Sequence, residues 1–264
     1  MVRGLLASVM VGILCAVMGT YVVLRGMAFL GDAMAHAILP GVAIAYLLHG
    51  NLLIGAMIAA VIIALSIGLF SKGGTVKEDT AIGIIFAAAL SLGVALISSI
   101  QTYAVDLSHI MFGNVLGVSM SDLWLTAGLG FVVLASVALF YKQFMVISFD
   151  PILAATLRLP AELLRNLMLV LLAMTVVVSL QTVGVGLAAA MLITPAATSY
   201  LLTRRLWPMM LVSATIGAVS SLVGLYVSYY LNIVSGSAIV LTATVIFLLV
   251  FPFQPQRGLL WKRT

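Results

Sequence analysis

Long runs of apolar residues recur along the whole chain, and this pattern limits the possible folds more than any other feature of the sequence. A helix needs about 20 apolar residues to cross the hydrocarbon core of a bilayer. We predict nine spans, or eight if two short neighbours merge, in runs that cover residues 5–24, a stretch ending near 48, 52–70, 80–96, 123–141, 167–180, 187–202, 209–230 and 238–251. The pattern therefore predicts a bundle of transmembrane helices.

The composition leads to the same class of protein. Of the 264 residues, 64% are hydrophobic and 7% are charged, and the mean hydropathy is +1.30. Because so few charged side chains do not suffice for a soluble domain, we predict an all-α, polytopic bundle surrounded by membrane lipid, with residues 1–264 in a single domain. The net charge of +5 is explained by cytoplasmic loops, and we expect no nucleic-acid partner.

The positions of the basic residues predict the orientation of the spans. Lys72 and Lys77 lie in one loop and Arg204 and Arg205 in another, whereas residues 98–122 contain neither Lys nor Arg. Cytoplasmic loops carry an excess of these residues, so we expect the basic loops inside and the N-terminus outside.

Asp32 and His36 interrupt the second apolar run. They are four residues apart, so on a helix their side chains project from one face, where a carboxylate and an imidazole can share one cation. Ionisable groups in a span normally face a bundle interior or a wet cavity and mark a transport path. In the alternative interpretation, Asp32 caps a helix that begins just after it, and His36 is a hydrogen-bonded histidine of the core.

Pro40 follows His36 by one helical turn and is predicted to kink the second span. Proline removes a hydrogen bond from the helix ladder, and membrane helices that break near the midplane expose backbone groups at binding sites. We therefore assign Pro40 to the candidate site as a helix kink.

The longest predicted cytoplasmic connection, residues 142–165, carries its own helix signals. Asp150 before Pro151 is typical of a helix cap with a first-turn proline, and Pro160 opens the next helix in the same way. We expect a short helix between the two prolines.

The apolar residues of this short helix have two interpretations. Leu153 and Leu157 are four apart, and an exposed apolar face on a short helix usually marks a docking surface for a partner. Alternatively, the two leucines lie in the membrane interface.

Small residues are predicted to form one face of the span at residues 209–230. Gly217 and Gly224 are seven apart, with Ser220 and Ser221 between them. Such a face lets two helices approach closely in a membrane, so we interpret it as a packing surface.

We find no complete catalytic motif in the sequence. Gly73-Gly74 lacks the spacing of a Walker loop, and His-Glu-x-x-His is absent. We therefore expect no enzymatic activity, no ATP binding and no permanently bound cofactor. An intramembrane enzyme is the least favoured interpretation, since the chain has only 3 His and 7 acidic residues.

Four motifs in sequence order resemble those of the integral-membrane permeases of manganese, zinc and iron ABC importers. They are VVLRGMAFLGDAMAH at residues 22–36, KEDTAIGI at 77–84, FGNVLGVS at 112–119, and SFDP at 148–151 continued by ITPAAT at 193–198. The resemblance covers essentially the whole chain.

The resemblance implies a type II ABC importer in a prokaryotic plasma membrane. In such importers two permeases pair, as homodimer or heterodimer, two cytoplasmic ATPases drive them, and an extracytoplasmic binding protein delivers the metal. It implies that Asp32 and His36 contact metal on the translocation path. It also implies that the helix beginning at Asp150-Pro151 is the coupling helix that docks on the ATPase.

The transported metal is expected to be manganese, with zinc and iron as the other candidates. Two protomers would bring two Asp32/His36 pairs together, and this set of nitrogen and oxygen ligands suits all three metals. Pro40-Gly41 after the pair is more similar to manganese-type relatives. His109, in the predicted external loop, is a weaker candidate for a metal contact at the entry, because loop histidines are usually solvated or structural.

Two other transporter classes remain. A permease for a metal chelate or a vitamin would have the same architecture but a wider path without an Asp/His pair. A stand-alone, proton-coupled metal carrier would also place Asp and His in a span, but it would not need the capped helix between Asp150 and Pro160.

Overall fold

The computed structural model describes residues 2–72, 76–99, 117–149 and 151–253. In these ranges the chain forms α-helices and no strand, which confirms the predicted all-α class for the described part. The helices are α1 (Val2–Leu24), α2 (Phe29–Ala37), α3 (Leu39–Leu47), α4 (Leu52–Phe70), α5 (Glu78–Ser98), α6 (Met120–Leu139), α7 (Tyr141–Phe149), α8 (Pro151–Thr156), α9 (Ala161–Val183), α10 (Val185–Leu202), α11 (Leu206–Leu231) and α12 (Ser235–Val250).

The apolar runs of the sequence coincide with these helices. Within the described residues, 7 helical segments are long and apolar enough to cross a membrane: α1, α2 continued by α3, α4, α5, α6, α9 and α11. Two shorter apolar segments, Leu187–Leu202 and Ser235–Val250, correspond to α10 and α12. The number of spans, eight or nine, stays a prediction.

Aromatic side chains lie near both ends of α11. Trp207 packs edge-on against Tyr141 with ring centroids 5.9 Å apart, and Tyr229 packs against Tyr230 at the opposite end. At 1.5 Å per residue, the helix covers about 35 Å between Trp207 and Tyr230, slightly more than a hydrocarbon core of about 30 Å. Aromatic residues at both interfaces are typical of a helix that spans the bilayer.

Helix α1 lies in the middle of the bundle and contacts α6, α9, α10 and α11. Its backbone approaches α11 so closely that a Cβ on Gly217 would lie 2.5 Å from the carbonyl oxygen of Gly12. Ser221 Oγ, one turn further along α11, donates a hydrogen bond of 3.0 Å to the carbonyl oxygen of Ser8. Gly224 meets Ile239 of α12 in the same way. The predicted small-residue packing face of this span is confirmed.

The end of α1 turns the chain back into the bundle. Gly26 has a φ of 69°, the left-handed conformation that glycine adopts without strain. The N–H of Gly26 donates to the carbonyl oxygen of Val23 at 3.1 Å, and the N–H of Met27 donates to that of Val22 at 3.0 Å. This pattern is a Schellman motif, which satisfies the last carbonyls of α1 and allows α2 to begin at Phe29.

The same end of the bundle holds a set of charged side chains, which we call the charged end: Arg25, Lys72, Glu78, Glu162 and Arg165. Arg25 pairs with Glu78 at 2.8 Å, and Lys72 pairs with Glu162 at 3.1 Å. Arg165 donates to the carbonyl oxygens of Gly68 at 2.8 Å and Ser71 at 3.4 Å. A cation at the C-terminus of α4 complements the negative end of the helix dipole.

We expect Gly217→Ala to destabilise the protein by about 1–3 kcal/mol, because the added methyl group would overlap the backbone of α1. Gly128→Ala in α6 is the matched control, since no atom lies within 4 Å of a Cβ at that position. Alanine has the higher helix propensity, so the control is expected to be neutral or stabilising by up to about 1 kcal/mol. Thermal unfolding of both variants in detergent tests this prediction, and equal melting temperatures would contradict it.

Candidate metal site

Asp32 and His36 lie on α2, and their side chains share one face. His36 Nε2 is 3.6 Å from Asp32 Oδ1, and the two side chains are 29% and 47% exposed, respectively. The distance is too long for a hydrogen bond, so the carboxylate oxygens and the imidazole are not committed to each other. A partly exposed carboxylate and a partly exposed imidazole on one helix face can contact the same cation.

The alternative in which Asp32 caps a helix is wrong. The N-cap of α2 is Ala28, no side chain caps the helix, and Asp32 lies inside its first turn. The Schellman motif at Gly26 explains the difference, because it returns the chain to helical geometry before Asp32. The hydrogen-bonded core histidine is also wrong for His36, whose side chain is 29% exposed and whose Nε2 is beyond hydrogen-bond distance of Asp32.

A ring from α5 forms one wall of this site. Phe86 packs edge-on against Phe29 with centroids 5.5 Å apart, and its centroid is 6.4 Å from that of His36. Phe29 and His36 are seven residues apart, two turns of α2, with Asp32 between them on the same side. The face of α2 that carries the ionisable pair is therefore the face that meets α5.

A different side of α2, which includes Gly31, packs against α10 in the interior. A Cβ at Gly31 would lie 3.4 Å from Leu192 Cδ2, whereas one at Gly19 of α1 would overlap the backbone carbonyl oxygen of Leu192. Leu192 of α10 therefore contacts both α1 and α2. The backbone of α2 is thus held by α10 at a position about 100–140° around the helix from Asp32 and His36.

The helix break lies at Ile38, two residues before Pro40. Helix α2 ends at Ala37, and Pro40 stands in the first turn of α3, where a missing N–H leaves no ladder bond unsatisfied. Gly93 of α5 packs on Pro40, with a Cβ–Cδ distance of 3.1 Å for a Cβ built at that glycine. The break therefore follows His36 directly.

One chain supplies a small set of ligands. Among the described residues, there is no group of three or more His, Cys, Asp or Glu side chains that could hold a metal ion. His109, the candidate entry residue, lies outside the described residues. Asp32 and His36 therefore offer two of the several ligands that a divalent metal takes.

The structure also contains the predicted short helix between Pro151 and Pro160. It is α8, which begins at Pro151 and packs on α7 and α9. Leu153 and Leu157 are both exposed. Asp150, the predicted cap, lies outside the described residues, and the assignment of these residues to coupling stays a prediction.

A backbone hydrogen bond ends α8. The N–H of Leu159 donates to the carbonyl oxygen of Ala154 at 3.1 Å, and Arg158 between them has a φ of 52°. A left-handed residue with this bond is typical of a helix C-terminus. Ala154 is fully buried, so the helix rests on the bundle through one face, whereas Leu153 in the helix and Leu157 directly after it are exposed.

Sequence reasoning missed the role of Phe86 and the ion pair between Arg25 and Glu78. Phe86 lies 50 residues from His36 and Glu78 lies 53 from Arg25, so no local spacing connects them. Both charged residues lie in the quoted motifs, but a motif does not show which residues meet in space.

Comparisons with known proteins identify the family. The model of the ABC 3 transport family matches residues 1–254. The chain belongs to the ABC 3 transport family. Among its relatives, the manganese transport system membrane protein MntC of Halalkalibacterium halodurans is 48% identical over 98% of this chain and 89% of the relative. The manganese import system permease protein ScaB of Streptococcus parasanguinis is 42% identical over 97% and 91%.

A third relative and two solved structures extend the comparison. A probable iron transport system membrane protein of Haemophilus influenzae is 40% identical over 99% of this chain and 93% of the relative. PsaBC from Streptococcus pneumoniae, solved with a Fab, superposes with a TM-score of 0.84 at 40% identity, covering 96% of this chain and 91% of that one. An inward-facing metal-chelate-type ABC transporter shares the fold, with a TM-score of 0.74 at 16% identity over 94% and 84%.

Membership of the ABC 3 family defines the class of protein. With several apolar helices long enough to span a bilayer, the chain is a multi-pass protein of the prokaryotic plasma membrane and a translocation component of an ABC transporter.

We expect Phe86→Ala to lower metal uptake by about tenfold, as changes beside metal ligands often do, because the candidate ligand His36 would lose the ring beside it. Phe131→Ala on the exposed face of α6 is the control and should transport normally. Uptake is measured in cells as manganese content by elemental mass spectrometry and normalised to the amount of protein in the membrane. Equal uptake by the two variants would show that this wall does not shape the site.

Proposed function

We propose that the chain is the membrane permease subunit of an ATP-driven importer of a divalent transition metal, with Asp32 and His36 lining the translocation path. The observation that carries the proposal is this half-exposed ionisable pair on a helix of an otherwise apolar bundle. A carboxylate and an imidazole that face lipid would be costly, so the side of α2 that carries them belongs to a protein-lined path.

Manganese is the metal we propose, with iron or zinc as alternatives. Relatives with 48% and 42% identity are named for manganese transport, and one with 40% identity is named for iron transport. Manganese binds weakest of the three to a given ligand set, so ligand strength alone does not select it. Selection then depends on the geometry of the path and on the metal that is delivered to it.

A second permease protomer, identical or different, completes the site in this proposal. Two ligands from one chain are too few for manganese, and a two-fold axis beside α2 would add a second carboxylate and imidazole. It would also cover the exposed side of Asp32 and His36. The arrangement is that of a type II importer whose protomers each have eight or nine spans in a single domain, residues 1–264.

The charged end faces the cytoplasm in this proposal, and a separate ABC ATPase docks on α8. Helix α8 is the coupling element, with Pro151 at its start, Asp150 before it, Leu153 on its exposed face and the exposed Leu157 directly after its end. ATP hydrolysis belongs to the partner, so this chain has no enzymatic activity and no resident cofactor. An extracytoplasmic metal-binding protein delivers the metal to the other end, where His109 is a candidate contact.

The two alternative transporter classes are less well supported. A chelate permease shares the fold, as the neighbour at 16% identity illustrates, but a bulky chelate has no need of an Asp/His pair. A stand-alone proton-coupled carrier would not belong to an ABC family.

We expect Asp32→Ala and His36→Ala to reduce manganese uptake by at least about tenfold, because each removes a ligand from the path. His49→Ala, at an exposed position beyond the end of α3, is the matched control for loss of an imidazole. Cellular manganese and the metal content of the purified complex are measured by elemental mass spectrometry. Wild-type uptake by both site variants would refute the assignment.

We expect Leu153→Glu and Leu157→Glu to weaken docking of the ATPase, because a charge on this face opposes an apolar contact. Leu202→Glu is the control, since Leu202 is also exposed and ends α10 outside the coupling segment. Co-purification of the ATPase with a tagged permease gives the stoichiometry. If the Leu153 and Leu157 variants retain the ATPase and transport metal, α8 is not the coupling element.

A further inference from the structure

The ion pair between Arg25 and Glu78 is much more enclosed than the other ion pair at the charged end. Arg25 Nη2 lies 2.8 Å from Glu78 Oε2, and the side chains are 13% and 20% exposed. Lys72 and Glu162, at the same end of the bundle, are 60% and 55% exposed. Pairs as exposed as the second contribute little, whereas removing one partner of an enclosed pair leaves an uncompensated charge.

Arg25 lies in surroundings that disfavour its charge, so its pairing with Glu78 matters for the stability of that charge. Burial lowers the pKa of the Arg25 guanidinium, Glu78 opposes this effect, and the neighbouring Arg165 lowers the pKa further. Arg165 has acceptors of its own at the end of α4, on the carbonyl oxygens of Gly68 and Ser71. Glu78 is therefore the carboxylate that compensates Arg25.

The pair joins the two helices that form the candidate metal site. Arg25 lies in the turn that leads into α2, and Glu78 is the first residue of α5. From this point both helices enter the bundle, and they meet again where Phe86 contacts Phe29 and His36. His36 lies about 10 Å along α2 from the start of that helix at Phe29, at 1.5 Å per residue.

Helix α5 contacts the α2–α3 segment at three levels on one side. Glu78 holds the entry to α2, Phe86 lies beside His36, and Gly93 packs on Pro40 after the break. Positions 78, 86 and 93 fall within about 80° of one another around a helix of 3.6 residues per turn. Helix α2 has only 9 residues between a turn and a break, so these contacts fix its orientation along α5.

We propose that Arg25 and Glu78 are positioning residues for the metal site, which hold α2 in register along α5 so that Asp32 and His36 stand together beside Phe86. The inference rests on the proposed function, since it concerns the same site. Neither residue contacts the metal. Loss of the pair lets the entry of α2 shift while Gly93 still holds the far end, and the ligand geometry changes.

Manganese binding to the purified complex of permease and ATPase tests this proposal, with Mn(II) as the probe. Free Mn(II) is followed by its electron paramagnetic resonance signal, which reports binding independently of uptake. We expect Arg25→Gln and Glu78→Gln to raise the Kd for Mn(II) by about 10-fold or more, the usual range for residues that orient ligands. Lys72→Gln and Glu162→Gln are the matched controls, and their Kd should equal that of the wild type.

The charge-reversed double variant, Arg25→Glu with Glu78→Arg, separates positioning from a general loss of stability. It should bind Mn(II) several-fold more tightly than either glutamine variant, because an ion pair is formed again in the same place. This variant is also the one to measure if a glutamine variant fails to fold. A double variant that folds but binds no better than the single variants would overturn the proposal, as would wild-type Kd values for both glutamine variants.

Asp32→Ala, measured in parallel, distinguishes failure of this inference from failure of the proposed function. Wild-type binding by Asp32→Ala would refute the assignment of the metal site, and the positioning role would then be refuted as well. If Asp32→Ala loses binding while Arg25→Gln and Glu78→Gln bind normally, the metal site stands and the positioning role is wrong.

Discussion

Close contact between the backbone of α1 and its neighbours is the interaction on which the rest of this structure depends. Lipid tails are as apolar as leucine, so burying apolar side chains contributes little to helix association in a bilayer. Close packing at small residues drives the association instead. Gly12 meets Gly217 of α11, and Gly19 meets Leu192 of α10. Ser213 Oγ adds a buried hydrogen bond of 2.8 Å to the carbonyl oxygen of Ala16. These contacts fix α1, and the turn at its end fixes where α2 begins.

The candidate site follows from that turn and from α5. Because the Schellman motif at Gly26 ends α1 and α2 starts within a few residues, Asp32 and His36 enter the bundle near the charged end. Helix α10 contacts α2 at Gly31, and α5 contacts the face that carries the ionisable pair. A short helix held by two neighbours presents two polar side chains with little freedom to reorient, which is a property that a metal path requires.

The sequence was sufficient for features that depend on local chemistry and insufficient for those that depend on contacts across the fold. Apolar runs predicted the helices, and the small residues at Gly217 and Ser221 predicted a packing face, because both signals lie within one helix. The alternative in which Asp32 caps α2 was wrong, since a turn centred on Gly26 lets the helix begin before Asp32. Phe86 was missed because its neighbour His36 lies 50 residues away, and only the folded bundle brings the two rings together.

Two pairs of ionisable residues involve α2 or the turn before it: Arg25 with Glu78, and Asp32 with His36. Their distances and exposures differ, and this difference distinguishes a structural ion pair from a candidate site. Arg25 and Glu78 stand 2.8 Å apart and are nearly enclosed, so each uses the other as its partner. Asp32 and His36 stand 3.6 Å apart, beyond hydrogen-bond distance, and remain half exposed. A charge that serves only the fold would be expected to have a close, enclosed partner, because an unmatched charge in a bilayer is costly. The fold alone does not explain why the more loosely paired residues lie further along α2, and we therefore propose that a cation binds between them.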